Sequence, residues 1–530
     1  MERLDVVVVG AGFSGLYLIH RLRGAGFSVR AIEAGDDVGG TWYWNRYPGA
    51  RCDVESLDYC YAFDDELLRE WHWKERYSTQ PDILDYLRHV AERFDLRRDI
   101  TFNSRVTHAT WHETDGRWQV ETDRGGTFEA TFLIMATGCL SVPRMPEFPD
   151  LDCYGGRVYY TARWPHEGVD FAGLDVAVIG TGSSGIQSIP VIARQAKRVT
   201  VFQRTPNFSV PAFNAPMDPE LERDAMADIP ARRQALRASD SGYLIVRNPE
   251  KLDGKPADEI ERELERRWNE GGFNLLNVYD GVTSDPTTNA IVADFIRRRI
   301  RATVKDPKIA NKLCPTNHPF GTKRPCVDIG YFETYNRENV ELVDLNETPI
   351  ENFTTGGLRT SDRNFDFDAV VFATGFDAMT GALLAVEITG RRGLSLRDKW
   401  AHGPRSYLGL MVAGFPNLFT ITGPGSPSVL TNMVTSIEQH VEWVTDCLSN
   451  LRNRQQSRIE ATEAAEDDWV ARVNREADET LYPKANSWYV GANVPGKPRV
   501  FMPYVGGLDV YRKLCDEVAA KDYEGFVAGR

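Results

Sequence analysis

Residues 5–15 read DVVVVGAGFSG, a run of four valines leading into Gly10-Ala11-Gly12-Phe13-Ser14-Gly15. The unbroken apolar run has the character of a strand buried on both faces of a parallel sheet, not of a signal peptide. The residues that follow, LYLIHRLRGAG, have the spacing of a helix. A G-x-G-x-x-G placed between strand and helix lets the backbone approach a pyrophosphate, whose charge meets the helix N-terminus. The next strand, VRAIEA, ends in Glu33, 23 residues after Gly10. A carboxylate there suits a free ribose 2′-hydroxyl and repels a 2′-phosphate. The expectation is a dinucleotide site for FAD or NAD.

The same pattern returns at Gly180-Thr181-Gly182-Ser183-Ser184-Gly185, after the strand VAVIG and before IQSIPVIARQA. Its following strand, VTVFQRT, ends with Arg204 where Glu33 stood in the first unit. A cation at that place favours a 2′-phosphate, so the second site is expected to hold NADPH. Two further stretches are near copies, FLIMATG (132–138) and VVFATGFD (371–378). Each reads as a buried strand ending in a small turn where the backbone passes close to something. Between the fingerprints lies YGGRVYYTARWP (154–165), aromatic and without helix or strand period, which reads as a rigid connector.

These signals predict an α/β fold with two Rossmann-type dinucleotide-binding domains and a helical insertion. The FAD-binding domain is expected over 1–140 and 371–530, the later part carrying the substrate loops. The NADPH-binding domain is expected over 141–214 and 314–370. The charged stretch 215–313, with Ile260, Leu264 and Trp268 at helical spacing, reads as helices covering the second domain. The run RRRIR (297–301) on one of them reads as a solvated face.

Across 530 residues the net charge is −14, which argues against nucleic acid and anionic membrane partners. No apolar run approaches the roughly 20 residues of a spanning helix. Eight cysteines without a C-x-x-C pair suggest free thiols in the cytoplasm, and nine histidines form no metal-spaced cluster. No metal is expected, and a monomer is. A flavin beside NADPH implies hydride transfer, and without a dithiol the reduced flavin points to oxygen chemistry rather than disulfide reduction.

YGGRVYYTARWP resembles the fingerprint F-x-G-x-x-x-H-x-x-x-W-P of type I Baeyer–Villiger monooxygenases, with Tyr154, Gly156, Tyr160, Trp164 and Pro165 at its fixed positions. The resemblance spans nearly the whole chain, through GGTWYWNRYPGARCDVES (39–56), FGTKRP (320–325), ATGFDAMTGAL (373–383), GPGSPSVLTNM (423–433) and SWYVGANVPGKPRVFMPYVGG (487–507). Within the family it is nearest to phenylacetone and steroid monooxygenases. It implies insertion of one oxygen from O2 beside a ketone carbonyl, giving an ester or lactone by way of NADPH-reduced FAD and a flavin peroxide.

The resemblance also implies roles. Arg324 matches a catalytic arginine and Asp53 the carboxylate that positions it. Arg204 and Lys323 match cations that grip the 2′-phosphate, with Gln187 and Thr205 on the same side, and Trp488 matches a tryptophan reaching the nicotinamide ribose. On the flavin side Ser14, Glu33, Gly40, Thr41, Trp42, Tyr59 and Val106 correspond. Val54, Leu140, Ser428, Val429, Leu430 and Met433 correspond to an apolar ketone pocket, Met433 also bordering the cofactor. Two departures stand out: Tyr160 occupies the histidine position and Tyr154 the phenylalanine position. Tyr160 is expected to anchor the connector by packing and by its hydroxyl. The alternatives are an N- or S-oxygenating flavin monooxygenase, or a non-catalytic NADPH and FAD redox sensor.

Overall fold

The computed structural model describes residues 2–530. The valine run forms the strand Glu2–Val9, and Val6, Val7 and Val8 are fully buried. It lies parallel to Val29–Ile32 on one side and Thr127–Met135 on the other. The strand Thr127–Met135 is forked. Its first half pairs antiparallel with Arg117–Thr122, and its last residues, from Leu133 to Met135, pair parallel with Leu418–Thr420. Residues from late in the chain therefore complete the first sheet.

A second, all-parallel sheet runs in the order Val340–Asp344, Arg198–Gln203, Asp175–Ile179, Ala369–Phe372 and Arg157–Tyr160. The fold is α/β with two Rossmann-type dinucleotide-binding domains. The aromatic stretch 154–165 is more than a connector, because Arg157–Tyr160 forms the edge strand of this second sheet, Tyr160 opposite Phe372.

The two sheets repeat one packing device. Gly10 and Gly180 have φ of +108° and +112°, and a Cβ on them would lie 2.6 Å from the Ala136 carbonyl oxygen and 2.5 Å from that of Ala373. What the turns of FLIMATG and VVFATGFD pass close to is thus the first glycine of each fingerprint, which only glycine can occupy. Gly15 and Gly185 act similarly: a Cβ would lie 2.0 Å from the Gly10 oxygen and 2.3 Å from the Gly180 oxygen. Each lets its helix sit tightly on its first strand.

Residues 215–313 supply five helices, Pro219–Ala227, Ile229–Ala238, Ala257–Glu270, Pro286–Thr303 and Pro307–Leu313. They do not cover the second sheet alone. Arg232, Arg233 and Arg237, all on Ile229–Ala238, pair with Asp58, Asp65 and Glu442 and tie that helix to the flanks of the first sheet. The run RRRIR is an ion-paired face rather than a freely solvated one, with Arg298 on Glu261 at 2.7 Å and Arg299 on Glu265 of the neighbouring helix. A small antiparallel sheet, Ile350–Phe353, Gly357–Thr360 and Asn364–Asp366, is an element that the sequence pattern did not announce.

Candidate active site

The strand ends of both sheets open into one cavity of about 1810 Å³. Ligands of open α/β sheets sit outside the carboxyl ends of the strands, where both fingerprints lie. Single-ligand pockets run roughly 300–1,000 Å³, so this space suits two cofactors and a substrate.

On the first side Gly10, Gly12 and Ser14 line the cavity. Gly12 faces Gly40, whose φ is +52° and whose added Cβ would lie 2.8 Å from the Gly12 Cα. The cradle is therefore bare backbone, the shape a pyrophosphate needs. Glu33 is buried at the end of its strand and accepts from the backbone N–H groups of Ala11 and Gly35, both at 2.8 Å. Burial lifts its carboxyl above the ordinary range, and those N–H groups and Arg105 work against the rise. Trp42 donates through Nε1 to the Tyr59 hydroxyl at 3.2 Å, and Thr41 and Val106 complete this wall. These residues fit a flavin dinucleotide with a free ribose.

On the second side Gly180, Thr181, Gly182, Ser183 and Ser184 form the matching cradle, and Thr181 donates to the Thr205 carbonyl at 2.9 Å. Arg204 and Lys323 line the cavity and neither pairs with a carboxylate among the described residues. Burial, then the charge of Arg204, lowers the Lys323 ammonium from its ordinary value. The sequence reading missed a third cation, Arg144, which also lines the cavity and is lowered by burial and by Arg204. Its backbone is pinned by the Gly375 carbonyl and the Thr374 hydroxyl at 2.9 Å each. Cations left without counterions fit a 2′-phosphate. The only early sign of Arg144 was an arginine between prolines in SVPRMP.

Between the cradles stands Arg324. Its Nε and Nη2 donate to the Asp53 carboxylate at 2.5 and 2.8 Å, and Nη1 donates to the Val429 carbonyl at 2.7 Å. The Phe273 ring, also unforeseen, lies 4.8 Å beneath the guanidinium. Burial works against the charge, but Asp53 outweighs it and holds Arg324 well above its ordinary value. Three of five N–H donors are committed, leaving two for a ligand.

Val54, Leu140, Val429, Met433 and Trp488 line the same space, Trp488 packed 4.3 Å from Tyr489. Four expected site residues do not line it. Gly15 and Gly185 serve helix packing, and Leu430 joins the apolar cluster behind Val429. Ser428 is fully buried with φ +43°, its hydroxyl donating to the Thr422 carbonyl at 3.2 Å, so it shapes the loop from within.

Residues 7–223 match the family of pyridine nucleotide-disulphide oxidoreductases. A relative named Baeyer-Villiger monooxygenase, from Pseudooceanicola batsensis, is 41% identical over 99% of this chain and 96% of its own length. The chain belongs to the Baeyer–Villiger monooxygenases. Among solved structures, an oxidized steroid monooxygenase bound to NADP is 51% identical, with a TM-score of 0.96 over 99% of both chains. OTEMO in complex with FAD and NADP is 40% identical at the same TM-score, again over 99% of both chains. A phenazine N-monooxygenase from Lysobacter antibioticus is 38% identical over 99% of this chain and 96% of its own.

In this Baeyer–Villiger monooxygenase the two fingerprint departures are accommodated differently. The Tyr154 hydroxyl donates to the Phe367 carbonyl at 2.9 Å, and Gly156 makes room, since a Cβ there would lie 2.2 Å from that hydroxyl. Tyr160 stacks on Phe372 at 5.3 Å, but its hydroxyl has no hydrogen-bond partner among the described residues. Ring stacking and its place in the edge strand anchor it, not the hydroxyl. The next residue, Thr161, has its hydroxyl 3.4 Å from both the Ser184 hydroxyl of the second fingerprint and the Phe372 carbonyl, which share its one proton.

Proposed function

We propose that FAD lies along the first cradle and NADPH along the second, and that Arg324 stabilises charge on the oxygen passed to a ketone. As a Baeyer–Villiger monooxygenase the chain inserts one oxygen atom from O2 beside a ketone carbonyl to give an ester or lactone. When bound, the flavin would supply the acceptor for hydride from NADPH and the means of activating O2. The observation that carries the reading is the clasped guanidinium, a permanent charge with two donors to spare, at the meeting point of both cradles. A forked donor fixed in place before reaction stabilises a developing oxyanion without reorganising. Asp53 sets its direction, and the Val429 carbonyl ties it to the loop shaping the substrate pocket.

Arg204, Lys323 and Arg144 supply the charge that selects a 2′-phosphate, and the apolar wall of Val54, Leu140, Val429 and Met433 excludes water around the ketone. Sheet membership supports 1–140 with the late chain as the flavin domain and 141–214 with 314–370 as the nicotinamide domain, 215–313 being the helical insertion, except that the strand Ala369–Phe372 carries the nicotinamide sheet two residues past the expected boundary at 370. A cytoplasmic location fits eight free cysteines, and a monomer fits exposed large apolar side chains numbering only seven among the described residues.

A second reading, oxygenation at nitrogen, is favoured by the phenazine N-monooxygenase among the relatives. Purified protein supplied with NADPH and a panel of aliphatic, aromatic and steroidal ketones, beside N-heteroaromatics, separates the two. Esters or lactones identified by mass are expected. N-oxides without any ester would replace the first reading by the second.

A further inference from the structure

Gln187 stands in the helix Ser183–Gln195, whose first turn faces the second cradle, yet its carboxamide is committed to the loop 47–51. Its Oε1 accepts from the Tyr47 hydroxyl at 2.8 Å and from the Arg51 N–H at 3.4 Å. Its Nε2 donates to the Arg51 carbonyl at 3.1 Å. One side chain thus grips both backbone groups of a single residue, as a neighbouring strand would. On the opposite edge the flanking residues are already paired, Gln80 N–H to the Ala50 carbonyl at 2.8 Å and Cys52 N–H to the Ser78 carbonyl at 3.1 Å. Gly49, at φ +82°, allows the approach, since a Cβ there would lie 2.3 Å from the Gln187 carbonyl oxygen. Two residues beyond Arg51 is Asp53, the partner of Arg324.

We infer that Gln187 is a positioning residue that couples occupancy of the nicotinamide-dinucleotide cradle to the placement of Asp53 and, through it, Arg324. Phosphate drawn to the helix N-terminus holds that helix, and the amide passes the restraint to the loop within one helical turn. The nature of the dinucleotide rests on the function proposed above. The coupling itself rests on the hydrogen bonds.

The experiment is hydrogen–deuterium exchange across residues 47–56 of the FAD-loaded protein, with and without NADP⁺. The variants are Gln187→Met, which keeps length but not hydrogen bonds, and Tyr47→Phe. NADP⁺ is expected to slow exchange roughly fivefold in the parent, with that protection lost in Gln187→Met and reduced in Tyr47→Phe. The NADP⁺ Kd of Gln187→Met, measured by calorimetry, is expected within about threefold of the parent, because the amide is spent on the loop. Parental protection in both variants, or a Kd raised about tenfold or more, would overturn the assignment. Should Gln187→Met not fold, Tyr47→Phe decides alone, parental protection counting against the coupling. A parent that forms no ester but shows the NADP⁺-dependent protection would sink the proposed function and leave the coupling standing.

Discussion

Arg324 meets Asp53 side-on through two parallel N–H···O bonds at 2.5 and 2.8 Å, across 271 residues of sequence. The pair fixes one face of the guanidinium and leaves donors on the other. Arg324→Ala is expected to leave flavin reduction by NADPH largely intact and to lower ester formation at least a hundredfold, on the order of 3 kcal/mol in the barrier. Stopped-flow reduction and product yield, measured on the same preparation, separate the two steps. Arg324→Lys should recover little, since an ammonium cannot reproduce the fork.

NADPH should be preferred over NADH, because Arg204, Lys323 and Arg144 face the cavity without counterions. Neutralising Arg204 or Lys323 is expected to raise the KM for NADPH roughly tenfold each while changing the KM for NADH little. Equal use of both nicotinamides by the parent would contradict the assignment of the second cradle.

For Tyr160 the structure separates ring from hydroxyl. Stacking on Phe372 is present and the hydroxyl lacks a partner among the described residues, so Tyr160→Phe should be silent. Tyr160→Ala should release more hydrogen peroxide per NADPH with ketone present, because Phe372 precedes the turn that holds Gly180. Peroxide yield in the two variants is the measurement. A Phe variant as leaky as the Ala variant would give the hydroxyl a role after all.

Glu438 gives a pH signature unrelated to catalysis. It lies buried in the helix Met433–Asn453, and burial, helped by Glu442, lifts its carboxyl from 4.5 to about 7, against the Ala62 N–H that it accepts at 2.7 Å. A carboxyl raised in the folded state favours folding fully below its unfolded pKa, and that contribution is lost as pH rises through the folded one. Glu438→Gln should therefore flatten the fall in stability between pH 5 and 8, by an amount on the order of 3 kcal/mol. Thermal unfolding of both proteins at the two pH values checks it, and parallel profiles would rule it out.

Both nucleotide-binding sheets were legible because glycine spacing and two-sided apolar runs are local signals. The edge strand Arg157–Tyr160 was not, since it pairs on one side only and its residues are exposed or half-buried, which erases the apolar run. Arg324 and Asp53 could be named only through family resemblance, as nothing in spacing joins residues so far apart. Ser428 was placed at the substrate for the same reason, whereas its left-handed backbone turns the hydroxyl into the loop. Gln187 lines the cavity as expected, but the hydrogen bonds of its amide to Tyr47 and Arg51, which the approach of Gly49 allows, leave no trace in spacing.

Oxygen transfer to a ketone is tested most directly by turnover under oxygen-18 gas with NADPH and an accepted ketone. One labelled atom, at the bridging oxygen of the ester or lactone, is expected for each coupled NADPH. A product whose bridging oxygen comes from water, or a label found only on nitrogen when an N-heteroaromatic is offered, would contradict the assignment of this site to Baeyer–Villiger chemistry.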